Sequence, residues 1–332
     1  MNLCFRFLFP ILCVFTFSSC SNEIDVLADY EESASIYALL DPNYGIQFVK
    51  INKVFVNPNT KASDVARISD SLYFDTIAPY LLELGSGKKI PLTKANILLK
   101  DSGYFANSPN YLYVTTERIS ANQKYRVELI LPKSGKLLSA ETDIVGTTIL
   151  TQPVSMFSMS RVFSVLPGGS VPVEFRCPVN GKIYDAFFYF NYIEVNKLDT
   201  NIKVKKTIPW KIVRSYRSST NLGNEYVIQR IPGVLFYDLL KANIQVNPDV
   251  IRRFTTCEIE LIAGNLTLDT YIQSSTPSIG IVQKQTDYTN VSNGVGLFGS
   301  RNTLYIDEVS VGPQTRTILT NDTAYKKLGF VR

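Results

Sequence analysis

Alternation of apolar and polar residues along the chain predicts a mainly β protein. From Tyr125 to Leu131 every second residue is apolar and two of those between are charged, which is typical of a strand with one buried face. An apolar run at 36–40 ends at the turn signal Asp41-Pro42-Asn43, and a second strand candidate at 47–56 ends at the turn signal Asn57-Pro58-Asn59. Short strands separated by turns in this way favour β-sandwiches over βαβ units.

A change in composition divides the chain into two predicted domains. The segment 147–160 loses charge and gains Ser, Thr and Pro153, so we place the domain junction there. We expect a β-sandwich over 31–147 and a second β-rich sandwich domain over 148–332.

Two short helices are predicted inside the second domain, near 234–254. Pro232-Gly233 precedes the first, whose apolar face would consist of Leu235, Leu239 and Ala242. Asn247-Pro248-Asp249 resembles an N-cap followed by Pro at the first helical position, so the second helix would cover 250–254. Such helices cap one end of a sandwich or bridge two strands, and the alternative is a helix that docks a partner.

The first twenty residues have the form of a lipoprotein signal. Arg6 precedes an apolar run at 7–17, which is too short to span a bilayer, and Ser18-Ser19 supplies the small residues before Cys20. We therefore predict removal of 1–19, lipidation of Cys20 and a tether over 20–30. Three acyl chains would hold the protein stably on a membrane. The alternative is an ordinary signal peptide followed by a coincidental cysteine.

Composition excludes several classes of function. The 332 residues contain no His, which excludes Ser-His-Asp and Cys-His catalysis in their usual forms and removes the commonest transition-metal ligand. The net charge of +5 comes from interspersed charges and gives no reason to expect nucleic acid binding. We expect no enzymatic activity, no metal and no cofactor. The alternative is a hydrolase that uses carboxylates alone, such as Glu258 with Glu260.

Two cysteines remain after the signal is removed, Cys177 and Cys257. Each is in phase with the apolar residues of its predicted strand, so both thiols would face the interior. In an oxidising compartment they could form one disulfide between two sheets, and the alternative is two buried thiols.

Aromatic residues are most concentrated at 184–192, where six of them occupy both strand faces, which predicts a strand buried on both sides. The alternative is a stacking platform for a sugar or peptide, formed by Tyr189, Tyr192 and Trp210. The basic stretch that follows, at 203–217, predicts a solvated strand face. Its alternative is contact with anionic head groups or an acidic partner.

The segment Gly294-Val295-Gly296-Leu297-Phe298-Gly299 matches the spacing of a dinucleotide-binding loop. A strand-like segment at 303–306 follows it where a helix would be needed, so we predict no nucleotide site there. We expect a tight, closely packed stretch of backbone.

Three segments carry a resemblance to a known family: the signal ending in Ser19-Cys20, the start at 36–41 and the segment 288–298. Together they resemble Bacteroidota outer-membrane lipoproteins of unknown function. The resemblance implies an immunoglobulin-like first domain, a β-rich second domain and a TonB-dependent receptor as partner.

Two further details follow from the same resemblance. The segment 21–25 is similar to the acidic stretch that directs such lipoproteins to the cell surface, the alternative location being the periplasmic face of the outer membrane. Asp-Ser/Thr-apolar tripeptides similar to the O-glycosylation sites of that group place candidate glycans on Ser71, Thr76 and Thr323.

The combined expectation is a lipid-anchored outer-membrane protein that binds a partner or ligand, as an accessory to a TonB-dependent transport complex. The alternatives are a structural or adhesive surface protein without a small ligand, and the carboxylate hydrolase.

Overall fold

The computed structural model describes residues 32–54, 64, 66–97, 106, 108–154, 160–276 and 288–331. The described part is mainly β, which confirms the predicted fold class. The strands are β1 (Ser33–Leu40), β2 (Gln47–Val54), β3 (Tyr80–Glu83), β4 (Lys89–Pro91), β5 (Thr93–Asn96), β6 (Tyr111–Thr115), β7 (Lys124–Ile130), β8 (Leu137–Asp143), β9 (Ile149–Gln152), β10 (Arg161–Phe163), β11 (Ser170–Arg176), β12 (Ile183–Asn196), β13 (Lys203–Arg217), β14 (Tyr226–Pro232), β15 (Val250–Phe254), β16 (Cys257–Gly264), β17 (Val291–Ser292), β18 (Val295–Val311) and β19 (Phe330–Val331). The helices are α1 (Ser69–Leu72), α2 (Gly233–Asn243), α3 (Leu266–Ser275) and α4 (Pro313–Asn321), with a 3-10 turn at Lys326–Leu328.

One long sheet runs through both halves of the described chain. Its strand order is β19-β15-β12-β16-β18-β1-β2-β6-β5, with β13 paired to β12 and β10 paired to β18. The first half of β18 lies parallel to β1, and its second half lies antiparallel to β16. The strand β18 therefore joins the two halves through main-chain hydrogen bonds.

The first half is a sandwich of two sheets. The sheet β17-β8-β7-β3-β4 faces the β18-β1-β2-β6-β5 part of the long sheet. Inward residues of both sheets alternate with outward ones, as in Ile36 of β1 and Val127 of β7, and they form one hydrophobic cluster. Phe298 of β18 also belongs to this cluster.

The second half has its own hydrophobic cluster. The long sheet packs there against the three-stranded sheet β14-β11-β9 and against α2 and α4, which contribute Phe236 and Leu319. The described residues, from 32 onward, form one compact unit, although the core divides near Val145, close to the predicted junction. Because β18 serves both clusters, the division into independent domains at 147/148 stays a prediction, as does the immunoglobulin-like type of the first.

Glycines allow β18 to lie close to β1. A Cβ atom on Gly296, which has φ +123°, would collide with the carbonyl oxygen of Ile36, and one on Gly294 would come within 2.5 Å of the carbonyl oxygen of Ala34. The chain continues from there as a strand and not as a helix. The glycine-rich motif therefore brings two backbones together, as the sequence predicts, and has none of the structural context of a nucleotide site.

The helix predictions are half correct. The first helix is present as α2, but its buried face contains Phe236, Tyr237 and Leu240, so the predicted Leu235, Leu239 and Ala242 face was wrong. The second predicted helix, at 250–254, was also wrong.

The second helix is replaced by the strand β15, which pairs with the end of β12 and with β19. The Asn247 side chain accepts a hydrogen bond from the Asp249 N–H at 2.9 Å, which closes a turn and does not cap a helix. Strand pairing on both sides, in a stretch that begins with two β-branched residues, outweighs the local helix signal.

Candidate functional site

A tight connection between β1 and β2 lies at the centre of the candidate site. The Asp41 side chain accepts a hydrogen bond from the Asn43 N–H at 3.0 Å, and the Tyr44 N–H donates to the Asp41 carbonyl at 3.1 Å. Buried Gln47 holds the turn from within, because its side chain accepts from the Asp41 N–H and donates to the carbonyls of Asp41 and Tyr44. The predicted turn at 41–43 is thus present and fixed.

The same turn is tied to the neighbouring strand β18. The Thr303 hydroxyl donates to Asp41 Oδ2 at 2.7 Å, and the Asn43 side-chain amide donates to the Thr303 carbonyl at 2.9 Å. Asp41 is 2% exposed, so its carboxylate serves the architecture of the turn and faces no solvent. This anchoring gives the residues around the turn a fixed backbone.

Large apolar side chains surround the turn on the outer face of the sheet. Tyr37, Tyr44, Ile46 and Phe48 are each between 41% and 49% exposed. They line a concave pocket of about 410 Å³ together with Leu39, Leu297 and Arg301. We call this the turn pocket. Clustered aromatic side chains that remain in water mark a surface with apolar area left to bury.

Arg301 supplies the charge of the turn pocket. Its Nε lies 3.4 Å from Asp41 Oδ2 and is buried without a hydrogen-bond partner among the described residues. Its guanidinium carbon lies 5.6 Å from the centre of the Tyr44 ring. The side chain is 36% exposed, so part of the guanidinium faces the pocket. The pocket therefore combines aromatic faces with a planar set of hydrogen-bond donors beside a buried carboxylate.

The residues of the predicted stacking platform do not come together. Tyr192 and Trp210 are 4% and 7% exposed and belong to the second core. Tyr189 lies on the opposite face of β12, where its hydroxyl donates to Glu260 at 2.7 Å. The platform prediction was wrong for this set, because alternation along β12 separates its members.

The predicted basic stretch forms the strand β13, which lies at an edge of the long sheet. Residues 203–207 of β13 are exposed throughout. Lys211 is engaged by an ion pair with Asp185 at 2.6 Å.

The glutamate pair lies on the outer face of the long sheet. Glu260 accepts the Tyr189 hydroxyl, and Glu258 accepts the Asn191 side-chain amide at 3.0 Å. A hydrogen bond to Glu258 and burial raise the pKa of Tyr305 to about 12, and burial and Glu260 raise the pKa of Tyr189 to about 12. Neither glutamate lines the turn pocket.

The two mature cysteines are free and buried, so the predicted disulfide is absent. Cys177 lies beside Tyr184, and Cys257 lies beside Asn191, seven residues further along β12. Seven residues of strand span about 23 Å, whereas a disulfide needs Cα atoms within about 7 Å. Burial raises the pKa of both thiols, that of Cys257 to about 12. The alternative of two buried thiols is correct.

The glycosylation candidates occupy different environments. Thr76 and Thr323 are exposed, and Ser71 is half-buried in α1. Modification of all three stays a prediction. Cys20, the signal at 1–19 and the acidic stretch at 21–25 lie outside the described residues.

The sequence contains one signal for the turn pocket, which is the position of its aromatic residues within the strands. Tyr37 falls within the apolar run at 36–40, yet alternation of Ile36, Ala38 and Leu40 toward the core leaves it on the outer face. Phe48 stands in the same out-of-phase position in β2. An aromatic residue at the polar phase of a strand is therefore the informative pattern here.

Comparisons with known proteins identify no relative that explains the site. No protein-family model matches the chain, and no curated protein matches it. Among solved structures, the chain is similar to the C-terminal globular domain of an oligosaccharyltransferase from Pyrococcus abyssi, with a TM-score of 0.26 and 12% identity. That match covers 70% of this chain and 47% of the other, so this chain spans about half of its length. A TM-score this low supports no conclusion about function.

In the segments of the chain that the structure describes, no helix has both the length and the hydropathy needed to cross a membrane.

Proposed function

We propose that this chain is a non-enzymatic binding protein, anchored to the outer membrane through Cys20, that takes a neutral saccharide in the turn pocket. One observation carries the proposal: Tyr37, Tyr44 and Phe48 are half exposed around a concave surface that also presents Arg301. Tyr44 lies on the fixed turn, and Tyr37 and Phe48 lie on paired strands, so little backbone ordering would be needed on binding.

The chemistry of the turn pocket favours a sugar. A pyranose ring has an apolar C–H face that packs on an aromatic ring and a rim of hydroxyl groups that accept hydrogen bonds. Tyr44 and Phe48 offer the aromatic faces, and Arg301 offers the donors. Because Asp41 lies next to Arg301 and offsets its charge, a neutral saccharide fits better than an acidic one.

The same geometry favours binding over catalysis. The only carboxylate that lines the described turn pocket, Asp41, is engaged by Thr303, Asn43 and Arg301 and is almost fully buried. General acid–base chemistry on a glycosidic bond uses two carboxyl groups that both reach the substrate.

Calorimetric titration with a panel of neutral gluco-, xylo- and manno-oligosaccharides tests the binding role. We expect at least one to bind wild type and to lose about tenfold in affinity with Tyr44→Ala and with Arg301→Gln. Tyr305→Ala is the matched control, since this exposed tyrosine lies on β18 outside the turn pocket. Absence of binding across the panel, or equal binding by Tyr44→Ala, would overturn the proposal and favour the structural or adhesive role.

Anchoring is tested separately by Cys20→Ala. We expect the substituted protein to leave the membrane fraction, because the acyl chains would be lost. Membrane association of Cys20→Ala that survives a high-salt wash would contradict lipidation. If the protein also serves a transport complex, a TonB-dependent receptor co-purifies with the wild-type protein from native membranes.

A further inference from the structure

Two long strands of the described structure form sheet edges, and they differ in how they meet solvent. β13 is hydrogen-bonded only to β12 among the described strands, and β14 only to β11. An open edge presents unpaired N–H and C=O groups that can pair with another chain unless the sequence protects it.

The β13 edge carries the features that prevent such pairing. Lys203, Lys205 and Lys206 are exposed along it, and Pro209 interrupts its row of donors. Its register with β12 shifts near Val213, and Ser215 has φ +46°. A bulged, lysine-rich edge of this kind resists the addition of a further strand.

The β14 edge has none of these features in its central part. Tyr226 and Ile228 are 50% and 47% exposed, and the pairing with β11 runs without a register shift. The segment Tyr226–Ile231 contains no proline and no lysine. A long, regular, apolar edge is the type that pairs with an extended segment.

The hydrogen-bond phase shows which main-chain groups of β14 are open. The Cys177 N–H donates to the Glu225 carbonyl at 2.9 Å, and the Gly233 N–H donates to the Gly169 carbonyl at 2.8 Å. Bonded and non-bonded pairs alternate in an antiparallel ladder, so odd-numbered residues of β14 bond to β11. The N–H and C=O groups of Tyr226, Ile228 and Arg230 therefore point away from β11.

An apolar groove of about 670 Å³ lies beside this edge. It is bounded by Gln229 and Ile231 of β14, by Trp210 of β13, and by Leu235 and Leu239 of α2. Leu235 is 50% exposed. A strand added to β14 would direct alternate side chains into this groove and the others toward solvent.

Charge around the groove indicates the composition of such a strand. Arg230 on β14 and Arg214 on β13 are exposed, and neither forms an ion pair with another described residue. Asp238, the acidic residue of the groove wall, is already paired with Lys241 at 3.5 Å. Glu174, opposite Ile228 on the same face as Arg230, already accepts the Tyr226 hydroxyl. The charges left without an ion-pair partner among the described residues of the rim are therefore basic, and acidic residues on the added strand would complement them.

We propose that β14 is a docking edge for an extended segment of a partner protein, in which apolar residues alternate with acidic ones. The apolar residues enter the groove that Leu235 and Leu239 line, and the acidic ones lie beside Arg230. This site is separate from the turn pocket and does not depend on the saccharide proposal.

A fluorescent synthetic peptide of alternating valine and glutamate, of the same length as β14, tests the proposal on the full chain in detergent. We expect saturable binding by fluorescence anisotropy, together with slower hydrogen exchange at the amides of Tyr226, Ile228 and Arg230. The same peptide with methylated backbone amides should not bind, because it cannot complete the ladder.

Two charge reversals, one on each edge, test whether the peptide binds at β14 and not at β13. Arg230→Glu should weaken peptide binding about tenfold, whereas Lys205→Glu, an equal charge change on the β13 edge, should leave it unchanged. Ile228→Pro should abolish binding with the fold retained, since it removes an N–H that points to solvent. Equal binding by Arg230→Glu and wild type would overturn the proposal. So would exchange protection of the β14 amides that rises with protein concentration without peptide, because a second copy would then occupy the edge.

Discussion

Two groups of aromatic residues in this molecule differ in their exposure: one is buried and the other is half exposed. The inner group surrounds Phe236 of α2, whose ring centre lies 5.0 Å from that of Phe163, 5.4 Å from that of Phe190 and 5.7 Å from that of Trp210. The outer group is that of the turn pocket, where Tyr44 and Phe48 are nearly half exposed.

The comparison shows that a high local number of aromatic residues in the sequence does not mean that those residues are exposed. The sequence concentrates aromatics at 184–192, and there the even-numbered positions of β12 are fully enclosed by α2, α4 and the three-stranded sheet. The aromatic residues of the turn pocket come singly from β1, the turn and β2, so they form no cluster in the sequence. The turn pocket forms where strands bring separated side chains to a face that no other described element covers.

The largest expected effect comes from truncating the inner group. Phe236→Ala removes a side chain with 0% exposure that contacts at least three other rings, so we expect a loss of about 3–5 kcal/mol in the free energy of unfolding. Urea denaturation followed by Trp210 fluorescence measures it. The remaining folded protein should bind saccharide as wild type does.

Phe48→Ala is the matched control for this comparison. It makes the same truncation at a side chain that is 41% exposed, so we expect a loss below about 1 kcal/mol. The contrast between the two groups would collapse if both variants lost the same amount of stability.

Much of the fold is legible in the sequence because its signals are local and consistent. Period-two alternation identifies β7, and the Asp41-Pro42-Asn43 turn ends β1 where predicted. Pro232-Gly233 correctly marks the start of α2, which begins at Gly233. In each of these places, local propensity and tertiary packing favour the same structure.

Three features that the sequence did not reveal depend on long-range pairing. The stretch 250–254 becomes a strand because β12 and β19 flank it, and neither neighbour is close in the sequence. Alternation places both Cys177 and Cys257 on the inward face, but it does not give their positions along the strands. The distance between the two thiols could therefore not be predicted from the sequence. The turn pocket depends on Arg301, which reaches Asp41 only because β18 returns to lie parallel to β1.

A smaller effect is expected from the ionisation of Tyr237, which belongs to the inner group because its ring centre lies 5.3 Å from that of Phe236. Tyr237 is fully buried in α2, its hydroxyl donates to the Val165 carbonyl at 2.8 Å, and burial raises its pKa to about 12. In the unfolded chain a tyrosine ionises near pH 10. Between about pH 10 and pH 12 the unfolded state therefore releases this proton and the folded state keeps it, so stability falls as pH rises.

Replacing this residue by Tyr237→Phe isolates its contribution, because every other ionising group is the same in both proteins. At pH 8 the variant should be less stable by about 1 kcal/mol, through loss of the hydrogen bond to Val165. By pH 11 this deficit should shrink by about 1 kcal/mol, since only wild type gives up the tyrosine proton on unfolding. Urea denaturation at each pH measures the difference. Parallel declines of the two proteins would show that Tyr237 ionises alike in both states, and its enclosure within the inner group would then be wrong.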